Sequence, residues 1–169
     1  MDTQGFCVYS DIMSASSWVA HVDGGSRGSR GPAGIGVVIE HPSGQRVEIS
    51  ESIESGDNNY AEYSALLAAL QYAADNQCGR LCVYSDSEVV VRQITGRYNC
   101  QSAGLREIYD DCKALIDSLE EFTIRHIRRE ANREADRLAN AAMDRAQKPK
   151  SRFRGAAILP LPAPAALEL

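Results

Sequence analysis

The sequence predicts an α/β domain in which three consecutive strands precede alternating helices and strands, in the order βββαβααβα. Two observations carry that prediction. The apolar pattern keeps strand character up to DNN at 57–59 and takes on a helical period from Tyr60 onward. Further on, two short apolar runs, LCVYS at 81–85 and FTIRHI at 122–127, are set apart by helical stretches. Three strands with no helix between them imply an antiparallel meander. Strands reached through helices lie parallel to the first by right-handed crossovers. In such a sheet, functional residues gather beyond the carboxyl ends of the parallel strands.

Residues 1–16 are polar and aperiodic and read as a flexible leader. Strands are expected at about 18–23, 34–41 and 45–53, with a turn at HPSGQ joining the second to the third. Tyr63, Leu66, Leu67, Leu70, Ala73 and Ala74 make the stripe of a helix that ends near NQCG, 76–79. LCVYS is the kind of strand buried on both faces. One helix follows at 87–95 and breaks in TGRYNCQSAG; the next covers 104–119, with Leu105, Ile108, Cys112, Leu115 and Leu119 along one side. FTIRHI is the last strand. The last helix spans 132–146, capped by Asn132, with Ala135, Leu138, Ala139 and Ala142 inward. The proline- and alanine-rich stretch 147–169 has no usable period and reads as a flexible tail. That leaves one globular unit, 17–146.

A chain of 169 residues, 44% hydrophobic and 24% charged, has the composition of a single globular domain with a core of its own. No apolar run approaches the roughly 18 residues of a membrane helix, and the N-terminus lacks the basic start and apolar core of a secretory signal. Cys7, Cys78, Cys82, Cys100 and Cys112 form no CxxC pair, which fits free thiols in a reducing cytoplasm. The net charge of −5 argues mildly against a nucleic-acid partner. The distribution of charge points the other way, because arginines gather at Arg27 and Arg30 and again at Arg125, Arg128, Arg129, Arg133 and Arg137. A solvated helix face with Glu130 and Glu134 as partners is the rival explanation of the second group.

Four acids stand in places that a fold alone does not require. Asp23 ends the first strand and Asp86 the fourth, so in parallel neighbours their carboxylates lie side by side at one end of the sheet. Glu62, four residues before Leu66, and Asp136, three before Ala139, flank apolar stripes instead of facing water. Each alone has an ordinary reading, as a turn residue, a first-turn acid or an ion-pair partner of Arg133 or Arg137. Together they repel unless cations compensate, and hard divalent ions with oxygen ligands are the natural compensation. After Asp23, six glycines fall between 24 and 36, more than a two-residue hairpin needs, as though a loop were held open for something to approach.

DGGSRGSRGPAGIGVVI, NNYAEYSALLAAL, VYSDSEVVVRQI and NREADRLANAAM, in this order and spacing, resemble the type 1 ribonuclease H family, closest to its compact bacterial and archaeal branch. The likeness covers about residues 17–146. It implies a ribonuclease H-like fold, a five-stranded mixed sheet with helices on both faces. It also implies that Asp23, Glu62, Asp86 and Asp136 are catalytic, metal-binding carboxylates for two ions, Mg²⁺ or Mn²⁺. The implied reaction is hydrolysis of the RNA strand of an RNA–DNA hybrid, leaving 5′-phosphate and 3′-hydroxyl ends. Asp23 would bridge the ions, Glu62 and Asp86 would complete one site and Asp136 the other, with the ions about 4 Å apart. Gly24 and Gly25 would let the nucleic acid come close, and Asn58 and Asn59 match the family's RNA-gripping asparagines, where an amide can reach a base edge or a 2′-hydroxyl. As turn residues before a helix the two asparagines have an ordinary reading as well.

Departures from the family pattern concern the flanks. A loop histidine often precedes the last acid; counting back from Asp136 without gaps reaches His126, which reads as a strand residue, leaving Arg128, Arg129 or Glu130 in the loop's place. Glu88 and Asp57 stand where uncharged residues are common. The short TGRYNCQSAG lacks the basic protrusion of larger relatives, so phosphate contacts fall to the arginines at 125–137 and to Lys148, Lys150, Arg152 and Arg154. A smaller binding surface also leaves double-stranded RNA open as a second substrate, and a catalytically inactive nucleic-acid-binding module as the reading from another class. The expected state is a cytoplasmic monomer with no membrane partner.

Overall fold

The computed structural model describes residues 17–29, 31–54 and 56–147. The expected leader, most of the tail with its four cations, and Arg30 lie outside them. The elements follow the expected order: β1 (Trp18–Ser26), β2 (Ala33–Glu40), β3 (Arg46–Ile53), α1 (Asn58–Asp75), β4 (Arg80–Ser85), α2 (Glu88–Ile94), α3 (Ala103–Asp117), β5 (Glu121–His126) and α4 (Arg133–Gln147), with a single 3₁₀ turn at Arg129–Ala131. Five strands form one mixed sheet in the order β3-β2-β1-β4-β5. β1, β2 and β3 are antiparallel neighbours, and β4 and β5 run parallel to β1.

α1 packs over β1 and β2 with α3 outside it and α2 beside it, whereas α4 packs over β1, β2 and β3. Strand alternation separates the two layers. Ile35, Val37 and Ile39 join Ala20, Val22, Leu81 and Val83 in the core beneath α1, where Tyr63, Leu66 and Leu70 are fully buried. Gly34 and Gly36 turn to the other layer, where a side chain at either would run into the backbone of α4 at Ala139 or Ala135.

β1 differs from expectation in a way that matters. It does not end at Asp23: Gly24, Gly25 and Ser26 continue the strand, paired with Ile35, Gly34 and Ala33. The glycines are strand residues under helices, not an open loop. A Cβ on Gly24 would lie 2.2 Å from the backbone carbonyl of Ala61, so α1 sits directly on the bare strand. The turn proper is short and includes Gly28, at φ +82° with open space around it.

Other corrections are local. Ala74 is exposed, because α1 buries Ala61, Ala65 and Ala69 in its place. Asp57 caps α1, its carboxylate accepting from the Tyr60 amide at 2.9 Å, which accounts for an acid there. Asn132 makes no side-chain cap bond; its amide donates instead to the Val22 carbonyl at 2.9 Å. Trp18, half-buried, packs against the edge of the core with its ring tilted over His41 at a centroid distance of 4.0 Å. Cys78, Cys82, Cys100 and Cys112 are free thiols. No helix among the described residues is long and apolar enough to cross a membrane.

Candidate active site

The parallel ladder between β1 and β4 ends at the pair Val22–Ser85. Asp23 and Asp86 are each the next residue, so the carboxylates emerge where the two strands part. Asp86 is held on both sides. Ser85 Oγ accepts from the Ser87 amide at 3.1 Å, the Ser85 carbonyl accepts from Ile127 at 2.9 Å, and Ser87 caps α2. Glu62 arrives from the second turn of α1 and Asp136 from the first turn of α4. The opening beyond the ladder lets acids from both layers reach Asp23.

Asp23, Glu62 and Asp86 each offer a carboxylate oxygen, and these atoms all lie within 4.8 Å of one another. Asp136 is outside this trio but close enough to Asp23 to raise its pKa. Burial first, then the charges of Asp86 and Asp136, push Asp23 up to about 8. Burial first, then Asp23 and Asp86, push Glu62 up to about 10, with the Gly24 amide bonding Glu62 and opposing the shift. Glu62 Oε2 is buried with no hydrogen-bond partner. An all-carboxylate donor set with an orphaned buried oxygen suits a hard dication, which would satisfy that oxygen and offset the crowded negative charge.

A cavity of about 330 Å³ opens over the acids. Asp23, Glu62 and Asp136 line it with Gly24, Gly25, Asn58, Asn59 and Arg129. Asn58 is already engaged, its Oδ1 accepting from the Ser26 amide at 2.8 Å and tying the end of β1 to α1, which leaves its NH₂ group. Arg128 does not line this cavity, and neither does His126. His126 is the last residue of β5, exposed, with Nε2 at 3.3 Å from the Asp86 carbonyl and its ring in a neighbouring groove. The helix-face reading holds for one member of the arginine group, Arg137, which pairs with Glu134, while among the described residues Arg125, Arg128, Arg129 and Arg133 have no ion pair with Glu130 or Glu134. Glu88 pairs with Arg92 at 2.5 Å, which cancels its charge locally.

Three contributors escaped the sequence reading. Asn140, one turn after Asp136, lines the cavity and donates to the Asp136 carbonyl at 3.0 Å; its i+4 spacing was the available signal. Arg27 lines the cavity wall but is held by Asp144 at 2.6 Å. Asn132, 1% exposed, pins the start of α4 to the carbonyl next to Asp23 and so sets where Asp136 falls. Asn132→Ala removes that buried bond and is expected to lower stability by about 1–3 kcal/mol in denaturant unfolding. An unchanged midpoint would show that the tether carries no strain-bearing role.

A sheet in this order, with acids at the carboxyl ends of its central parallel strands and on the helices above and below, defines the ribonuclease H-like class of α/β domains. Comparison with known proteins agrees. The Reverse transcriptase-like family profile matches residues 21–142. Ribonuclease HI of Halobacterium salinarum is 38% identical over 126 residues, 74% of this chain and 63% of that protein. The bifunctional protein Rv2228c of Mycobacterium tuberculosis is 38% identical over 130 residues, 76% of this chain and 36% of its own length. The chain thus spans under two thirds of these curated relatives. The solved structure of RNase H1 from Halobacterium salinarum aligns with a TM-score of 0.72 at 37% identity, covering 76% of this chain and 98% of that one. LC11-RNase H1, solved in complex with an RNA/DNA hybrid, aligns at 0.70 and 36%, covering 76% and 98%. The chain belongs to the type 1 ribonuclease H family.

Proposed function

We propose that this chain is an endoribonuclease that hydrolyses the RNA strand of RNA–DNA hybrids with two divalent ions, Mg²⁺ or Mn²⁺, leaving 5′-phosphate and 3′-hydroxyl ends. The observation that carries the reading is the trio Asp23, Glu62 and Asp86 within 4.8 Å, with one buried Glu62 oxygen unpartnered. Asp23, which stands between Glu62 and Asp86 on one side and Asp136 on the other, would hold both ions, with Glu62 and Asp86 completing one set of ligands and Asp136 the other. When bound, such ions lower the pKa of the attacking water and offset charge on the phosphorus centre and leaving oxygen.

The chain's own part is positioning. Ser85 and Ser87 fix Asp86, and the Gly24 amide fixes Glu62. Arg129, in the cavity wall and without an ion pair among the described residues, offsets the charge of the phosphodiester. The free NH₂ of Asn58, and Asn59 beside it, face the strand where a 2′-hydroxyl tells RNA from DNA. Gly24 and Gly25 present only backbone to the substrate. His126 and Arg128, outside the cavity, carry no step of the reaction in this scheme; Arg128 remains available to a flanking phosphate. The same reading makes the chain a cytoplasmic monomer whose catalytic unit is the described domain.

A labelled hybrid is expected to be cut only with a divalent ion, and Asp86→Asn to lower kcat by more than the roughly 100-fold that follows loss of an outer-shell partner. Cleavage that survives Asp86→Asn, or that needs no metal, refutes the scheme. The same assay with duplex RNA decides whether the substrate range extends to it.

A further inference from the structure

Among the described residues, cations divide into two sets. Arg27, Arg46, Arg80, Arg92, Arg106 and Arg137 are each ion-paired, at 2.5–3.6 Å. Arg128, Arg129, Arg133 and Arg145 have no carboxylate partner, and neither have Arg97, Arg125 and Lys113, in a chain where 23 acidic residues outnumber 18 basic ones. With acids in surplus, cations left unpaired side by side point to a partner outside the chain. The last three share one groove. Arg97, Arg125 and His126 line a cavity of about 560 Å³ between α2 and β5. Through Thr95, Ile124 and Arg125 it continues into a second, of about 480 Å³, that adds Lys113.

The groove lies beside the acid cluster: His126, in its lining, has Nε2 3.3 Å from the backbone carbonyl of Asp86. It follows edge strand β5 back to Phe122. At about 3.3 Å per residue that is ~13 Å, the axial rise of about four nucleotides. The only acid in its lining, Glu88, is held by Arg92, which also lies 5.2 Å over the Tyr98 ring. Tyr98, next to Arg97, is 46% exposed, and with Val89 it is one of two large apolar side chains so exposed among the described residues. Unpaired cations interleaved with an exposed aromatic ring suit a polyanion that also offers flat bases.

We infer that the α2–β5 groove is a second phosphodiester-binding site, in which Arg97, Arg125 and Lys113 take backbone phosphates of the same nucleic acid a few nucleotides away from the acid cluster. The inference rests on the nuclease reading of that cluster for its ligand class. It assigns to an edge of the sheet the affinity that a basic protrusion would otherwise supply. Phosphate contacts of this kind add affinity without sequence preference.

The test is the salt dependence of hybrid binding by the full chain, read by fluorescence anisotropy in EDTA so that nothing is cut. Arg97→Ala combined with Arg125→Ala is expected to flatten the plot of log affinity against log salt by about 1.4–1.8, the counterion release of two phosphate contacts. Arg97→Lys with Arg125→Lys keeps the charges and the slope. Arg106→Ala, which removes a cation paired with Asp110 on α3, leaves the slope unchanged. A slope unaltered in the double alanine variant overturns the inference, and so does a wild-type chain that binds no nucleic acid. If the wild type binds hybrid with the expected slopes but never cuts it with divalent ions, the nuclease reading fails and the groove stands.

Discussion

Asp23→Asn is expected to abolish metal-dependent hydrolysis while making the metal-free protein more stable at neutral and alkaline pH. The two effects share one cause. Asp23 is 7% exposed, has its pKa raised by the neighbouring Asp86 and Asp136, and its oxygen lies within 4.8 Å of those of Glu62 and Asp86. That position suits the shared ligand of the proposed scheme and, without metal, sets its charge against those of Asp86 and Asp136. Asparagine keeps the shape and one oxygen but gives up the charge that attracts a dication. Loss of a direct ligand should cost kcat more than the roughly 100-fold seen for outer-shell partners.

The stability effect has a definite sign. In the unfolded chain Asp23 and Glu62 ionise near 3.8 and 4.5; in the fold they do so at about 8 and about 10. Between those limits the folded chain holds more protons than the unfolded one, so stability falls as pH rises. Their contribution is complete below about pH 4 and is lost as pH climbs through 8 toward 10. Thermal midpoints of the wild type in EDTA should therefore drop from about pH 5 to about pH 9, each kcal/mol lost lowering the midpoint by about 3–5 °C for a domain of this size. Asp23→Asn should show a shallower drop, because only the Glu62 contribution remains. Mg²⁺ should raise the midpoint of the wild type at the alkaline end, where the ligands are already ionised, and leave the variant unmoved. A flat wild-type profile would mean that the acids are neither crowded nor buried as described.

What the sequence discloses of this site follows from the range over which each signal acts. The switch from alternating to helical period is local, and it placed all five strands and four helices within a few residues. Asp23 and Asp86 could be set side by side because strand ends and parallel pairing are enough to do it. Glu62 and Asp136 needed the resemblance, since a helix-edge acid has ordinary readings that its neighbours cannot exclude. Three features were illegible for a common reason. Gly24 and Gly25 look like loop by propensity, and only the helix lying on them explains their place in a strand. Asn132 looks like a cap because the bond that occupies it reaches Val22, 110 residues away. Arg97 and Arg125 stand 28 residues apart, and nothing local indicates that one groove gathers them or that neither has a carboxylate.

Gly24→Ala is expected to cost a large part of the stability and tests whether the sheet and the site share one packing constraint. The added methyl would lie 2.2 Å from the carbonyl carbon and oxygen of Ala61 and 2.6 Å from the Glu62 amide nitrogen. All three atoms belong to the backbone of α1, so no rotamer change relieves the contact and the helix itself must lift. Overpacking of a core commonly costs about 1–3 kcal/mol, and a backbone clash belongs at or above the upper end. Gly25→Ala is the internal control. There the new methyl meets only the end of Met143, with Cε at 3.2 Å, and a flexible thioether can move aside for under about 1 kcal/mol. Denaturant midpoints of the two variants should differ accordingly. Because Glu62 follows Ala61 directly, lifting α1 also draws Glu62 away from Asp23 and Asp86. The Gly24 variant should then lose the stabilisation by divalent ions even under conditions where it remains folded, whereas the Gly25 variant keeps it. Equal metal responses in the two would separate the fold of β1 from the geometry of the acids, and would require that something other than the contact of α1 with bare strand holds Glu62 in place.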